Sequence, residues 1–223
     1  MPEGSTMGFE QAFGVLRQFT RSRSSSSRAI EYCELCSLGI GHEHPHLIEL
    51  VSRQILCTCP ACAMLFDGME KSKYKRVSRS SLYLSNFEMT DGQWESLLIP
   101  INMAFLFRSS FENRMIALYP SPAGAVESLL PLEAWSEIEQ SNPLLHRLEP
   151  DIEALLVSRA SHAHGMGRAE YYIAPIDECY RLVGLIRAHW KGLSVGTEVW
   201  TEIERFFAEL RSRSEMICGG PRA

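Results

Sequence analysis

The residues best equipped for chemistry are crowded into one stretch. From Cys33 to Phe66, CELCSLGIGHEHPHLIELVSRQILCTCPACAMLF, lie five of the chain's seven cysteines and three of its seven histidines. Two residues separate Cys33 from Cys36 and two separate Cys59 from Cys62, with twenty-two residues between the pairs. A Cys-x2-Cys turn lets two thiolates reach one ion, while backbone N–H groups of the turn soften their charge. Two such turns brought together by a β-hairpin supply four ligands, so Cys33, Cys36, Cys59 and Cys62 are the expected metal ligands.

Four thiolates suit zinc, as a closed structural site. Iron in a rubredoxin-like site has the same ligand set and would cycle by one electron; ligand spacing does not separate the two. Zinc is the expected cofactor and iron the alternative. A thioredoxin-like dithiol needs only one Cys-x-x-Cys, and two pairs are more economically explained by a shared ion. Disulfides suit an odd count of seven cysteines poorly.

Cys57 lies two residues before Cys59 and shares its face on a strand. It is read as a buried small hydrophobe, with replacement of a neighbouring ligand or a place in an iron–sulfur cluster as alternatives. His42, His44 and His46 alternate through GHEHPH. The expectation is an exposed polar loop, given Gly41 and Pro45; the sharper reading is a second metal site or proton relay. SHAHGMGR, Ser161 to Arg168, has no nearby carboxylates and completes no phosphate-binding pattern. Cys179 falls on an apolar helix face and is expected in the core, and Cys218 is expected to be exposed. Ser121 and Ser128 have no His/Asp companions, and no carboxylate pair makes a case for acid/base work. An enzyme is therefore not the expectation.

The elements that must position the cysteines can be read around them. HLIELV and RQILCTC are rich in branched residues and predict two strands with a turn near Ser52 and Arg53. CPACAMLF predicts a helical turn with Pro60 just inside its start, where a missing N–H costs nothing. Phe9, Phe13, Leu16 and Phe19 form the stripe of a short amphipathic helix, which runs into the flexible linker RSRSSSSR. KSKYKR, Lys71 to Arg76, is read as a solvated basic face.

Farther along, strands are expected at Ile99–Phe107, Met115–Pro120, Ile152–Ser158 and Glu170–Pro175. AGAVESLLPLEAWSEIE predicts helix on both sides of a break at Pro131. Ile176, Cys179, Tyr180, Val183 and Ile186 share one helix face, with Asp177 and Glu178 in its first turn. Val199, Ile203, Phe206 and Leu210 share another. Trp94, Trp135, Trp190 and Trp200 fall at helix positions as core mass. The expected fold class is α+β: a small zinc-ribbon or rubredoxin-like module followed by a larger α+β domain. Its expected parts are the N-terminal helix and linker (1–28), the ribbon (29–76), the α+β domain (77–212) and a tail (213–223).

Composition narrows the partners. A net charge of -5 gives no reason to expect nucleic acid, and no apolar run approaches the length of a bilayer span. The first residues lack the basic and apolar regions of a secretory signal, so the expected compartment is the cytoplasm, where paired cysteines favour metal over disulfides.

CELC, CTCPACAMLF, YPSPAGAVESLL, DIEALLVSR and APIDECYRLVGLIRAHWKG together resemble a family of uncharacterised bacterial proteins whose genes tend to lie within NiFe-hydrogenase gene clusters. The resemblance spans roughly Glu31 to Leu210. It implies an accessory role in maturation, assembly or electron transfer, with a protein partner such as a hydrogenase or its maturation factors. Only the ligand set Cys33, Cys36, Cys59 and Cys62 carries over from it.

Overall fold

A computed structural model describes residues 31–67, 69, 72–159, 168–190 and 197–217. The N-terminal stripe, the Ser/Arg linker, most of SHAHGMGR and Cys218 lie outside the described residues. The fold is mixed α+β, with five helices among those residues.

A seven-stranded sheet forms the centre. Its strands are β6 (Leu82–Leu84), β7 (Met103–Ser109), β8 (Arg114–Ser121), β9 (Gly124–Ser128), β10 (Glu153–Ser158), β11 (Glu170–Pro175) and β12 (Glu215–Ile217), in the order β12-β6-β11-β10-β7-β8-β9. All neighbours are antiparallel except β12 and β6. Successive strand residues point to opposite faces, and both faces are covered, so the central strands read as unbroken apolar runs. Phe105, Phe107, Ile116, Leu118, Leu156 and Tyr172 point to one face. There they meet α4 (Ile176–His189) and α5 (Thr197–Arg213) through residues such as Ile176, Cys179, Val183, Ile203 and Phe206. Ala104, Leu106, Ala117, Leu155, Val157 and Ile173 point to the other. That face receives Trp94 of α2 (Asp91–Ser96) and Trp135 and Ile138 of α3 (Leu132–Ser141). Trp190 and Trp200 are half-buried against the first face.

One helix expectation is corrected. Gly124–Ser128 is a strand, paired with β8 from Ala117↔Ser128 to Ser121↔Gly124, and only the part after Pro131 is helical. The chain turns tightly at Pro122 and Ala123, and Gly124 has a φ of 124°, open to glycine alone at no steric cost. With one alanine among Gly, Val, Glu and Ser, the segment has little helix preference to set against a full ladder beside β8. The strand expected from Ile99 begins at Met103.

The cysteine region carries its own three-stranded sheet: β3 (His46–Glu49) lies between β4 (Ile55–Cys57) and β5 (Tyr74–Arg76). Arg53 closes the β3–β4 turn with a φ of 60°. Within the basic stretch Tyr74–Arg76 form a strand; Lys73 and Arg76 are exposed, as a solvated face requires, while Lys73 meets Glu49 at 3.2 Å and the half-buried Lys75 meets Asp151 at 3.0 Å.

The ribbon is packed into the larger core. Ile48 and Val77 join the same apolar cluster as Phe107 and Ile176. Three polar contacts surround that join. Lys75 Nζ reaches the buried Asp151 and also donates to the Pro150 carbonyl at 3.1 Å. Arg53 binds Glu112 and Glu127, which also share Arg114. His46 meets Asp177, in the first turn of α4, at 2.6 Å.

Removing Lys75 would strand a buried carboxylate, so Lys75→Met should cost about 1–3 kcal/mol in urea unfolding. The Arg53 cluster makes stability pH-dependent. The bond from Arg53 holds the Glu112 carboxyl below its usual range. Burial pushes Glu127 up, but bonds from Arg114 and Arg53 outweigh it and leave it lowered too. A carboxyl lowered by folding contributes fully above its unfolded value and loses that contribution as pH falls through the folded one. Thermal unfolding followed from pH 7 downward should therefore show a shallower loss of Tm below about pH 4.5 in Arg53→Met than in the wild type.

Candidate metal centre

Each cysteine pair sits on a tight turn built by local hydrogen bonds. After β1 (Glu31–Tyr32) the chain turns through Glu34–Cys36 and returns as β2 (Gly39–Ile40). Cys33 N–H donates to the Leu38 carbonyl and Ser37 N–H to the Cys33 carbonyl, both at 2.8 Å, with Ser37 in the left-handed region at a φ of 61°. The second pair straddles the start of α1 (Pro60–Phe66). Cys59 is its N-cap, and the Cys59 sulfur accepts the Cys62 N–H at 3.4 Å. Pro60 occupies the first turn, as its spacing predicts. Two bonds tie the turns together: Glu34 N–H donates to the Cys57 carbonyl at 2.9 Å, and Cys57 N–H donates to Glu34 Oε2 at 2.6 Å.

This framework brings all four sequence-predicted residues together. The Sγ atoms of Cys33, Cys36, Cys59 and Cys62 lie within 4.8 Å of one another. Cys36 Sγ and Cys59 Sγ are 3.7 Å apart. Thiolates held at about 2.3 Å from a tetrahedral zinc are about 3.8 Å from each other, so this edge fits the ion. A disulfide would require about 2.05 Å. Cys33 and Cys59 are buried, Cys62 is half-buried and Cys36 is exposed.

The thiols disagree about ionising. Burial alone would push Cys33 up, but N–H groups of Cys59, Leu35 and Cys36 and the Cys36 thiol bring it down to about 6. Burial and then the thiols of Cys36, Cys59 and Cys33 push Cys62 up to about 12. Cys36 is also raised: the Leu38 N–H favours its thiolate, and the sulfurs of Cys33 and Cys59 outweigh it. One negative sulfur in the cluster thus opposes the next. A divalent cation reverses that sign and lets all four bind as thiolates, releasing protons.

His42 is exposed in a loop, as expected, but Cys57 and His46 depart from expectation. Cys57 is half-buried rather than core, and it faces His46 across the β3–β4 ladder. His46 is the first residue of β3, not part of a free loop. His46, His44 and Cys57 bring one possible ligand atom each to within 4.8 Å of one another. The alternation of His44 and His46 was a visible signal. Asp177, beside His46, was read only as a favourable charge for its helix; no local spacing links residues 131 positions apart. Cys179 is in the core, as expected, where burial holds its thiol well above the ordinary value.

The fold and this cluster define an α+β protein with a small four-cysteine module that could hold a metal ion. The chain belongs to the family of unknown function DUF5947, which matches residues 32–214. Comparison with curated proteins and with solved structures finds no match. No helix among the described residues is long and apolar enough to cross a membrane.

Cys59→Ser and Cys62→Ser should each release the bound ion and unfold the ribbon, because binding energies of about 10 kcal/mol or more in small zinc modules are folding energy. Cys57→Ser should leave the ribbon folded, with its circular dichroism and Tm close to those of the wild type. Loss of the fold in Cys57→Ser but not in Cys59→Ser would reverse the ligand assignment.

Proposed function

We propose that the chain is a non-enzymatic, cytoplasmic accessory protein that binds zinc in its four-cysteine ribbon and acts by engaging a protein partner. The observation that carries this reading is the convergence of Cys33, Cys36, Cys59 and Cys62 at separations suited to one tetrahedral ion. A closed four-thiolate site leaves zinc no open position for chemistry, so its work is to hold shape. The shape it holds presents apolar side chains outward. Tyr32, Leu38, Met64 and Leu65 are all exposed, and each lies within three residues of a ligand cysteine. Exposed apolar groups beside a rigid centre suit protein contact, and methionine adapts to varied partners. The resemblance to proteins encoded beside NiFe hydrogenases nominates assembly or maturation of such an enzyme as the setting.

A second reading places iron in the same site as a one-electron carrier. The exposure of Cys36 favours it, because a surface sulfur shortens the path to a redox partner.

Elemental analysis and a visible spectrum separate the readings on protein purified without oxygen, chelator or metal-affinity resin. One zinc per chain that survives dialysis against a weak chelator, with no colour, is the expected result. Iron with a thiolate charge-transfer band that bleaches on reduction would favour the electron carrier, and a folded, metal-free protein would overturn both. For the setting, a hydrogenase-bearing host without this chain should lose hydrogenase activity and regain it with the wild type but not with Cys62→Ser.

A further inference from the structure

The tautomers of two histidines can be worked out from their partners. His44 Nδ1 lies 2.8 Å from the carbonyl oxygen of Gly41, which can only accept. His46 Nδ1 lies 2.6 Å from Asp177 Oδ2, an acceptor when the carboxyl is ionised. Each Nδ1 therefore carries the hydrogen, and a neutral imidazole has just one. Both Nε2 atoms then present lone pairs, and they face each other at 3.2 Å. Two lone pairs at that distance repel unless a positive charge, a shared proton or a metal ion, lies between them.

The spacing identifies which kind. Two nitrogens bound to one tetrahedral ion at about 2.0–2.1 Å are separated by about 3.3 Å, close to the separation here. Cys57 supplies a third donor. It sits directly opposite His46 in the antiparallel ladder, and its sulfur lies within 4.8 Å of one ring nitrogen of each histidine. The contact from Asp177 to His46 is the carboxylate–imidazole arrangement that orients a metal-bound ring and raises its basicity. Nitrogen and thiolate donors exclude calcium and magnesium, which take oxygen, and favour a borderline ion such as zinc.

We propose that His44, His46 and Cys57 form a second metal site, oriented by Asp177, for one zinc-like transition-metal ion with an open coordination position. Three protein ligands leave the fourth place to water or an incoming ligand. All three ligands are half-exposed, so this ion exchanges more readily than one enclosed by four cysteines. Cys57 is two residues from Cys59 along an extended chain, which places the sites about 7 Å apart along the backbone. The protein thus pairs a closed centre with an open one. The proposal does not depend on what the four-cysteine centre holds.

The test is metal stoichiometry on the full chain, stripped anaerobically and dialysed against excess cobalt(II) as the probe, for the wild type, His44→Ala and Cys57→Ser. The expected result is two ions in the wild type and one in each variant, with unchanged circular dichroism. Difference spectra should show d–d bands of a tetrahedral or five-coordinate ion with a single thiolate. Two ions in all three proteins would overturn the proposal. One ion in the wild type, retained in His44→Ala, would overturn it and leave the four-cysteine reading standing. One ion in the wild type that is lost in both variants would support it and overturn the four-cysteine reading instead.

Discussion

Four sulfur atoms gathered within 4.8 Å form an arrangement that a protein chain does not favour unaided. Ionising Cys33 makes its neighbours harder to ionise, and leaving all four protonated packs weak donors against weak acceptors. A single divalent cation would resolve the conflict, and the ribbon has few other means of doing so. Its strands are two to four residues long and α1 has seven residues, below the length at which a helix persists by itself. What holds these pieces in register is the pair of turns, and what holds the turns is the bonding between Glu34 and Cys57 together with the shared centre.

The ribbon is not a pendant. From Tyr32 onward the described residues form one compact unit, and β3 links the two parts: it pairs with β4, which leads into Cys59, and sends Ile48 into the main core. Ile48 enters the apolar cluster on the α4 face, while His46, two residues earlier, reaches the N-terminal turn of α4 through Asp177. Lys75 and Arg53 fix the same module to the sheet from two other directions. The cysteine module is therefore joined to the sheet by contiguous apolar and polar contacts.

Much of this was legible in the residues. The cysteine spacing, the β3–β4 hairpin around Arg53, the helix opening at Pro60 and the apolar faces of α4 and α5 are local patterns, and local geometry realises them. Strand Glu170–Pro175 matches its expected bounds because the sheet buries both of its faces and leaves nothing else for such a run to do. The failures were equally physical. Gly124–Ser128 lies in a run that continues as a helix after Pro131, but it is a strand because β8 offers it a ladder of hydrogen bonds. Lys75 departs from the solvated face of KSKYKR because its partner, Asp151, is remote in sequence.

By itself the sequence determined which four cysteines gather and much of the helix and strand content around them, because two residues between thiols and a period of two or 3.6 are properties of short chain segments. Tertiary structure alone decided what surrounds that centre. The register that sets His46 against Cys57, and the packing that carries Asp177 to His46, depend on how β4 and α4 meet β3. Such meetings are settled by burial over the whole sheet, which no window of the chain contains.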